Sequence, residues 1–157
     1  MKLGVVMDPI QSINIKKDST FEMLWQAQLL DWELIYFEMD DLSVDNGVAL
    51  GVARPLKIQQ DYEHWFDLGE AETIELGSLD AILMRKDPPF DMEYVYSTYI
   101  LELAEMQGAF VVNSPQALRD CNEKAYCAWF PKLCPDTVIT RSDPQLRAFL
   151  DFNFVLY

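Results

Sequence analysis

A run of charged residues and prolines between two apolar segments carries the side chains best suited to chemistry. Arg85, Lys86 and Asp87 directly follow the apolar residues 81–84, and two prolines come next. Each proline ring fixes φ, so the loop is stiff, and an arginine can grip a carboxylate through two parallel hydrogen bonds. The run therefore predicts an anion site. An ordinary proline-containing connection with solvated charges has the same pattern, so both interpretations stay open at this point.

The elements around this run predict where its side chains lie. Residues 81–84 have the length and composition of a buried strand, and Asp91 is placed to cap a helix that ends near Gly108. In open α/β sheets, ligands bind outside the carboxyl ends of the strands. A second strand end of this kind follows the apolar residues 3–7, where Asp8 begins a polar loop. We therefore expect the two loops to meet at one edge of the sheet.

The order of apolar runs and helical periodicity predicts an α/β fold with a mostly parallel sheet and helices on both faces. Strands are predicted at residues 3–7, 34–37, 81–84, 110–112, 135–140 and 154–157. Helices are predicted after Asp18 or Ser19, from Asp91 to Gly108, after Ser114, over 122–130 and from Asp143 or Pro144 to Leu150. The turn signal at 45–47 predicts a β-hairpin insertion, which residues 52–58 continue.

The composition limits the classes of function. The 157 residues hold 12 Lys and Arg against 26 Asp and Glu, a formal charge of −14. This charge opposes binding to nucleic acid or to an anionic membrane surface. No apolar run has the length of a transmembrane helix or of a signal peptide. The three cysteines do not form a Cys-x-x-Cys pair, and we expect free thiols in a soluble cytoplasmic protein.

Several motifs of well-known enzyme classes are missing from the sequence. The six glycines form neither a dinucleotide-binding nor a phosphate-binding loop, and no nucleophile elbow occurs. His64 is the one histidine, so a histidine-based metal site or catalytic triad is excluded. A nicotinamide-dependent oxidoreductase and a serine hydrolase are therefore not expected.

Four segments of the sequence resemble the bacterial glutathione synthetases, which are ligases of the ATP-grasp superfamily. The segments are Met7-Asp8-Pro9-Ile10, Asn14-Ile15-Lys16-Lys17-Asp18-Ser19, Met84-Arg85-Lys86-Asp87-Pro88-Pro89-Phe90-Asp91 and Leu118-Arg119-Asp120-Cys121-Asn122-Glu123-Lys124. The resemblance extends from residue 1 to about residue 150. It implies a Rossmann-like pre-ATP-grasp domain over residues 1–121 and the start of an ATP-grasp domain over 122–157.

The resemblance also implies a reaction. This family joins γ-glutamylcysteine to glycine with ATP and Mg²⁺: the dipeptide carboxylate is phosphorylated, and the glycine amine attacks the acyl phosphate. Carried over by position, Lys124 is expected to contact ATP. Residues of the two strand-end loops are expected to contact γ-glutamylcysteine, namely Asp8, Ser12, Asn14, Arg85 and Asp87. No metal ligand and no covalent catalytic residue is predicted within the chain.

The sequence departs from the family at Tyr157, where the family has a lysine followed by proline that makes a second ATP contact. We therefore expect that these 157 residues alone are inactive and bind no cofactor. A non-catalytic binding or assembly module derived from the same domain is the alternative. The apolar residues 154–157 predict an unpaired strand that either pairs copies of the chain or is disordered, and a homo-oligomer is expected.

Overall fold

The computed structural model describes residues 1–122 and 124–153. The chain divides into two compact units, Met1–Arg119 and Asp120–Tyr157. The predicted boundary lies close to this division, but the assignment of each part to a named domain stays a prediction. In the described residues, no helix is both long enough and apolar enough to span a membrane.

The first unit is built on one sheet of eight strands. In chain order the strands are β1 (Lys2–Val6), β2 (Glu33–Phe37), β3 (Leu42–Asp45), β4 (Val48–Ile58), β5 (Phe66–Leu68), β6 (Glu72–Glu75), β7 (Ala81–Met84) and β8 (Phe110–Val112). The helices of the chain are α1 (Ser19–Leu29), α2 (Met92–Met106), α3 (Pro115–Asp120) and α4 (Asp143–Asn153). The predicted α/β fold is confirmed.

A parallel core of four strands runs in the order β2-β1-β7-β8. In this register Val5 lies opposite Tyr36 on one side and Leu83 on the other. Because the strands are parallel, their carboxyl ends meet at the same edge of the sheet. The loops that follow β1 and β7 are therefore neighbours, as predicted.

An antiparallel ribbon extends this core beyond β2. The long strand β4 pairs with β2, β3, β5 and β6. The predicted hairpin turn between β3 and β4 is present: Asn46 and Gly47 both have positive φ, 49° and 83°, as a two-residue hairpin turn requires. The ribbon is larger than predicted because β5 and β6 were not expected.

Helices cover both faces of the sheet, as predicted. Leu24 of α1 packs with Val5 on one face, and Leu101 of α2 packs with Val6 on the other. Neighbouring residues of a strand point to opposite faces, so β1 contributes to both clusters. The predicted caps are also present: the side chains of Asp18 and Asp91 accept hydrogen bonds from the backbone N–H groups of Phe21 and Tyr94.

The second unit differs from its prediction in two elements. The predicted strand at 135–140 is wrong, since this segment has no regular structure. A strand needs a partner that accepts its backbone hydrogen bonds, and no described strand pairs with the segment. The helical piece predicted over 122–130 is a 3-10 turn, Tyr126–Trp129, followed by a second, Pro131–Leu133. Helix α4 begins at Asp143, as predicted, and the strand predicted at 154–157 lies outside the described residues.

Candidate functional site

A cavity of about 420 Å³ lies at the carboxyl ends of β1 and β7, beside the first turn of α1. This is the edge of a parallel sheet at which α/β proteins bind their ligands. The lining is mainly polar and contains both cations and carboxylates. Its residues are Met7, Asp8, Ser12, Ile13, Asn14, Lys17, Asp18, Ser19, Thr20, Arg85 and Asp87.

The five substrate contacts predicted from the sequence all line this cavity. Asp8, Ser12 and Asn14 come from the loop after β1, and Arg85 and Asp87 come from the loop after β7. The structure therefore brings the five together, while their roles stay predictions. Lys124 belongs to the second unit, where its backbone N–H donates to the side chain of Asn122. Its predicted contact with ATP also stays a prediction.

Arg85 is the best-oriented cation of the cavity. Its Nε donates to Thr20 Oγ1 and its Nη2 to Ser19 Oγ, each over 3.0 Å. Its backbone N–H donates to the carbonyl of Val6 over 2.7 Å, which holds the residue against the end of β1. Among residues 1–122 and 124–153, no carboxylate forms an ion pair with Arg85. Neutral hydroxyl groups therefore orient the guanidinium without neutralising its charge. The remaining N–H groups of Nη1 and Nη2 can donate hydrogen bonds to a bound anion.

Lys86, the neighbouring cation, connects the two loops. Its Nζ lies 2.9 Å from Asp8 Oδ1 and donates to the backbone carbonyl of Asp87 over 2.7 Å. Asp8 Oδ2 in turn accepts from the backbone N–H of Asp87 over 3.0 Å. Both oxygens of Asp8 are thus engaged in joining the loop after β1 to the loop after β7. Of the two cations in the predicted anion loop, Arg85 lines the cavity. Lys86 instead helps to join the two loops beside it.

The loop after β1 is held in place by Tyr36 of β2 and by Trp65, which precedes β5. The backbone N–H of Ile10 donates to the hydroxyl of Tyr36 over 3.1 Å, and its carbonyl accepts from Trp65 Nε1 over 3.1 Å. The Tyr36 hydroxyl donates onward to Glu38 Oε1 over 2.8 Å. Burial, reinforced by this hydrogen bond, raises the pKa of Tyr36 above its ordinary value, so the hydroxyl stays protonated as the donor to Glu38.

The comparisons with known proteins fit this geometry. Residues 1–119 match the family described as "Prokaryotic glutathione synthetase, N-terminal domain". The chain belongs to this family. It is 56% identical to the glutathione synthetase of Vibrio vulnificus (strain YJ016), 57% to that of Shewanella oneidensis and 56% to that of Salmonella typhi. Each match covers 149 residues, which is 95% of this chain and 47% of the relative.

The residues that match this family, 1–119, coincide with the first unit, Met1–Arg119. The chain spans about half the length of the relatives it matches. In the described residues, no group of three or more His, Cys, Asp or Glu side chains is arranged to hold a metal ion. These residues do not fit a Mg²⁺ site.

Sequence reasoning missed four residues that shape the cavity. Ser19 and Thr20 orient Arg85, and Tyr36 and Trp65 hold Ile10. One signal was readable: a tyrosine within an apolar strand has to find a hydrogen-bond partner when it is buried. The partners themselves lie between 26 and 66 residues away, which no local pattern reveals.

Proposed function

We propose that this chain provides the substrate-side domain of an ATP-dependent ligase that joins γ-glutamylcysteine to glycine. The cavity at the ends of β1 and β7 then holds γ-glutamylcysteine. The observation that carries the proposal is Arg85, a cation oriented by Ser19 and Thr20 that lacks a carboxylate partner among the described residues. Family membership supplies the reaction class.

The chemistry of the dipeptide matches the lining of the cavity. γ-Glutamylcysteine carries carboxylates, one ammonium group and a thiol. Arg85 suits a carboxylate, and the nearby carboxylates of Asp18 and Asp87 suit the ammonium group. A volume of about 420 Å³ lies within the range of small-molecule sites. In the complete reaction, ATP with Mg²⁺ supplies the phosphoryl group that activates the dipeptide carboxylate, and no step assigned to this chain's residues passes through the metal.

Calorimetric titration with γ-glutamylcysteine tests the site. Arg85→Gln removes the charge but keeps a polar side chain, and we expect the Kd to rise about 10-fold to 100-fold, as for a lost charge-assisted hydrogen bond. Lys57→Gln is the matched control, because Lys57 is an exposed cation of β4 in the same unit and does not line the cavity. Its Kd should stay within about twofold of the wild-type value. Equal affinities of wild type and Arg85→Gln would contradict the proposed site.

We propose further that residues from about 122 belong to the nucleotide-binding part of the enzyme, with Lys124 as an ATP contact. Because these 157 residues alone are expected to bind no nucleotide, equilibrium dialysis with ATP uses a full-length ligase that carries this domain. It compares Lys124→Met with Lys132→Met, a second lysine of the same unit. We expect weaker binding only in the first variant, since a phosphate contact loses its charge there. Equal losses in both variants would mean that general charge, and not a specific contact, attracts the nucleotide.

Three expectations stay predictions with direct tests. The 157 residues alone should release no ADP from ATP in the presence of Mg²⁺, γ-glutamylcysteine and glycine, and turnover above background would contradict this. Light scattering tests the expected homo-oligomer, and a single monomeric species would contradict this expectation. Cell fractionation tests the cytoplasmic location.

A further inference from the structure

Two of the three cysteines share a cavity in the second unit. Cys127 and Cys134 line a space of about 360 Å³ together with Pro131, Pro135 and Ile139. Both side chains are partly exposed free thiols, and the Cys121 thiol is exposed. Cys121 interacts instead with Tyr126, and this hydrogen bond raises the pKa of the Tyr126 hydroxyl. The three thiols therefore divide into one pair and one separate residue.

Each sulfur atom of the pair donates a hydrogen bond to a nearby backbone carbonyl. Cys134 Sγ donates to the backbone carbonyl of Cys127 over 3.5 Å. Cys127 Sγ donates to the carbonyl of Lys124 over 3.0 Å. Desolvation, followed by the neighbouring Cys127 thiol, raises the pKa of Cys134. The contact of Cys134 Sγ with the main chain of Cys127 and the cavity that both residues line place the two cysteines beside each other in the folded unit.

We propose that Cys127 and Cys134 are a dithiol that forms an intramolecular disulfide by exchange with a low-molecular-weight disulfide. In the first step the Cys127 thiolate attacks one sulfur of the small disulfide, and the other sulfur leaves as a thiolate. In the second step the Cys134 thiolate attacks Cys127 Sγ and releases the second small thiol. The protein loses two electrons and two protons, and the small disulfide is reduced to two thiols.

The local fold can accept this bond. Six residues separate the two cysteines, and they form the end of one 3-10 turn and the whole of the next. None of the described residues from 120 to 153 is buried, so no packed core resists a small adjustment of the backbone. A disulfide needs its two Cα atoms within about 4.4–6.8 Å, and the 3.5 Å contact between Cys134 Sγ and the main chain of Cys127 already brings the residues together.

Peptide mapping of the full chain reads out the bond directly. The protein is incubated with oxidised glutathione, blocked with iodoacetamide and digested with trypsin without reduction. Cleavage after Arg119, Lys124, Lys132 and Arg141 places each cysteine in its own peptide, over residues 120–124, 125–132 and 133–141. We expect peptides 125–132 and 133–141 to be disulfide-linked, with Cys121 outside the link. A main product that links peptide 120–124 to either of the others would overturn the proposal.

The dependence on glutathione concentration separates the disulfide from simple glutathionylation. Closing an intramolecular disulfide releases two glutathiones, so the ratio of oxidised to reduced protein follows the concentration of oxidised glutathione divided by the square of the concentration of reduced glutathione. At a constant ratio, a tenfold dilution of total glutathione should therefore raise the ratio of oxidised to reduced protein about tenfold. Mixed disulfides at separate cysteines depend on the simple ratio and do not respond to dilution. The proposal would be overturned if dilution left the ratio of oxidised to reduced protein unchanged and both Cys127 and Cys134 carried glutathione.

Two serine variants complete the test. Cys121→Ser should form the linked peptides as the wild type does. Cys134→Ser should lose them and carry glutathione on Cys127 instead. Far-UV circular dichroism of the variants checks that the fold is kept. Loss of the linked peptides in Cys121→Ser would show that the exposed thiol, and not the neighbouring pair, carries the chemistry.

Discussion

The two units of the chain are stabilised in different ways. In Met1–Arg119, two hydrophobic clusters contain many fully buried side chains, among them Val5, Phe37 and Leu101. In the described residues of 120–153, no side chain is buried. The first unit therefore has a core of its own, and the candidate site sits on strands which that core holds rigid. The second unit depends on local turns and caps.

The hydrogen bonds show the same contrast. In the first unit, the side chain of Arg85 bonds to Ser19, 66 residues earlier, and Asp8 bonds to Asp87, 79 residues later. In the second unit, Thr140 bonds to Gln145 and Arg147 to Asp143, within one or two helical turns. Long-range bonds break only when the unit opens as a whole, and local ones break one at a time. The two units should therefore respond differently to four perturbations.

The largest expected difference is in proteolysis. Lys57 and Arg141 are both exposed sites for trypsin. Lys57, however, lies within β4 and pairs with Asp67 of β5, and Arg141 lies in an irregular stretch. Cleavage at Arg141 needs only local opening, so we expect it to be on the order of 10³-fold faster than cleavage at Lys57. A time course followed by mass spectrometry measures both rates, and similar rates would mean that the second unit is as stable as the first.

The next largest difference is in the response to truncated leucines. Leu101→Ala empties a site in α2 that is 0% exposed and should lower the unfolding free energy by about 3 kcal/mol. Leu146→Ala is the matched change in α4, where the leucine is 38% exposed, and it should cost less than about 1 kcal/mol. Urea denaturation followed by circular dichroism gives both values. Equal losses would show that α4 is packed as tightly as α2.

The same contrast explains which features the sequence could predict. Helix caps are local, so Asp18 and Asp91 were identified from their positions before apolar periodic segments. Strands β5 and β6 were missed because they exist through pairing with β4, and β6 has an almost fully exposed pattern. The predicted strand at 135–140 is the converse case, a segment with a strand-like sequence but without a pairing partner. Its composition favours a strand, but no described strand pairs with it.

The residues of the candidate site also fall into a set that the sequence predicted and a set that it did not. The five lining residues were named from the resemblance to the glutathione synthetases and from their places at strand ends, where α/β sheets bind ligands. The hydroxyls that orient Arg85 and the two aromatic residues that hold Ile10 were not predictable. Their side chains are recruited by folding across 26 to 66 residues. Sequence patterns thus indicate where a site forms, and tertiary contacts determine how its side chains are oriented.

A smaller difference is expected between two tryptophans. Trp65→Phe removes the N–H donor to the Ile10 carbonyl and should lower the unfolding free energy by about 1 kcal/mol. Trp129→Phe, at a side chain that is 68% exposed, should change it by less than about 0.5 kcal/mol. Trp65→Phe should also weaken γ-glutamylcysteine binding, since Ile10 anchors the loop that carries Asp8 and Ser12. Unchanged affinity in this variant would show that the loop is held well enough by Tyr36 alone.

The smallest difference concerns two arginine–aspartate pairs. Arg54 makes two parallel hydrogen bonds to Asp41, of 3.0 and 3.1 Å, with side-chain exposures of 30% and 11%. Arg147 makes one bond of 3.2 Å to Asp143, and those side chains are 76% and 79% exposed. Lysine keeps the charge but cannot form the paired bonds.

Replacing each arginine with lysine therefore isolates the paired geometry. Arg54→Lys should lower the unfolding free energy by about 0.5–1 kcal/mol, and Arg147→Lys by no more than about 0.3 kcal/mol. Urea denaturation at low and high salt measures both. Salt should remove the effect of Arg147→Lys, since that pair is exposed to screening, and leave most of the effect of Arg54→Lys. If both losses disappear in high salt, the Arg54 pair acts through surface charge alone, and its two bonds do not help to fasten β4 to the residues after β2.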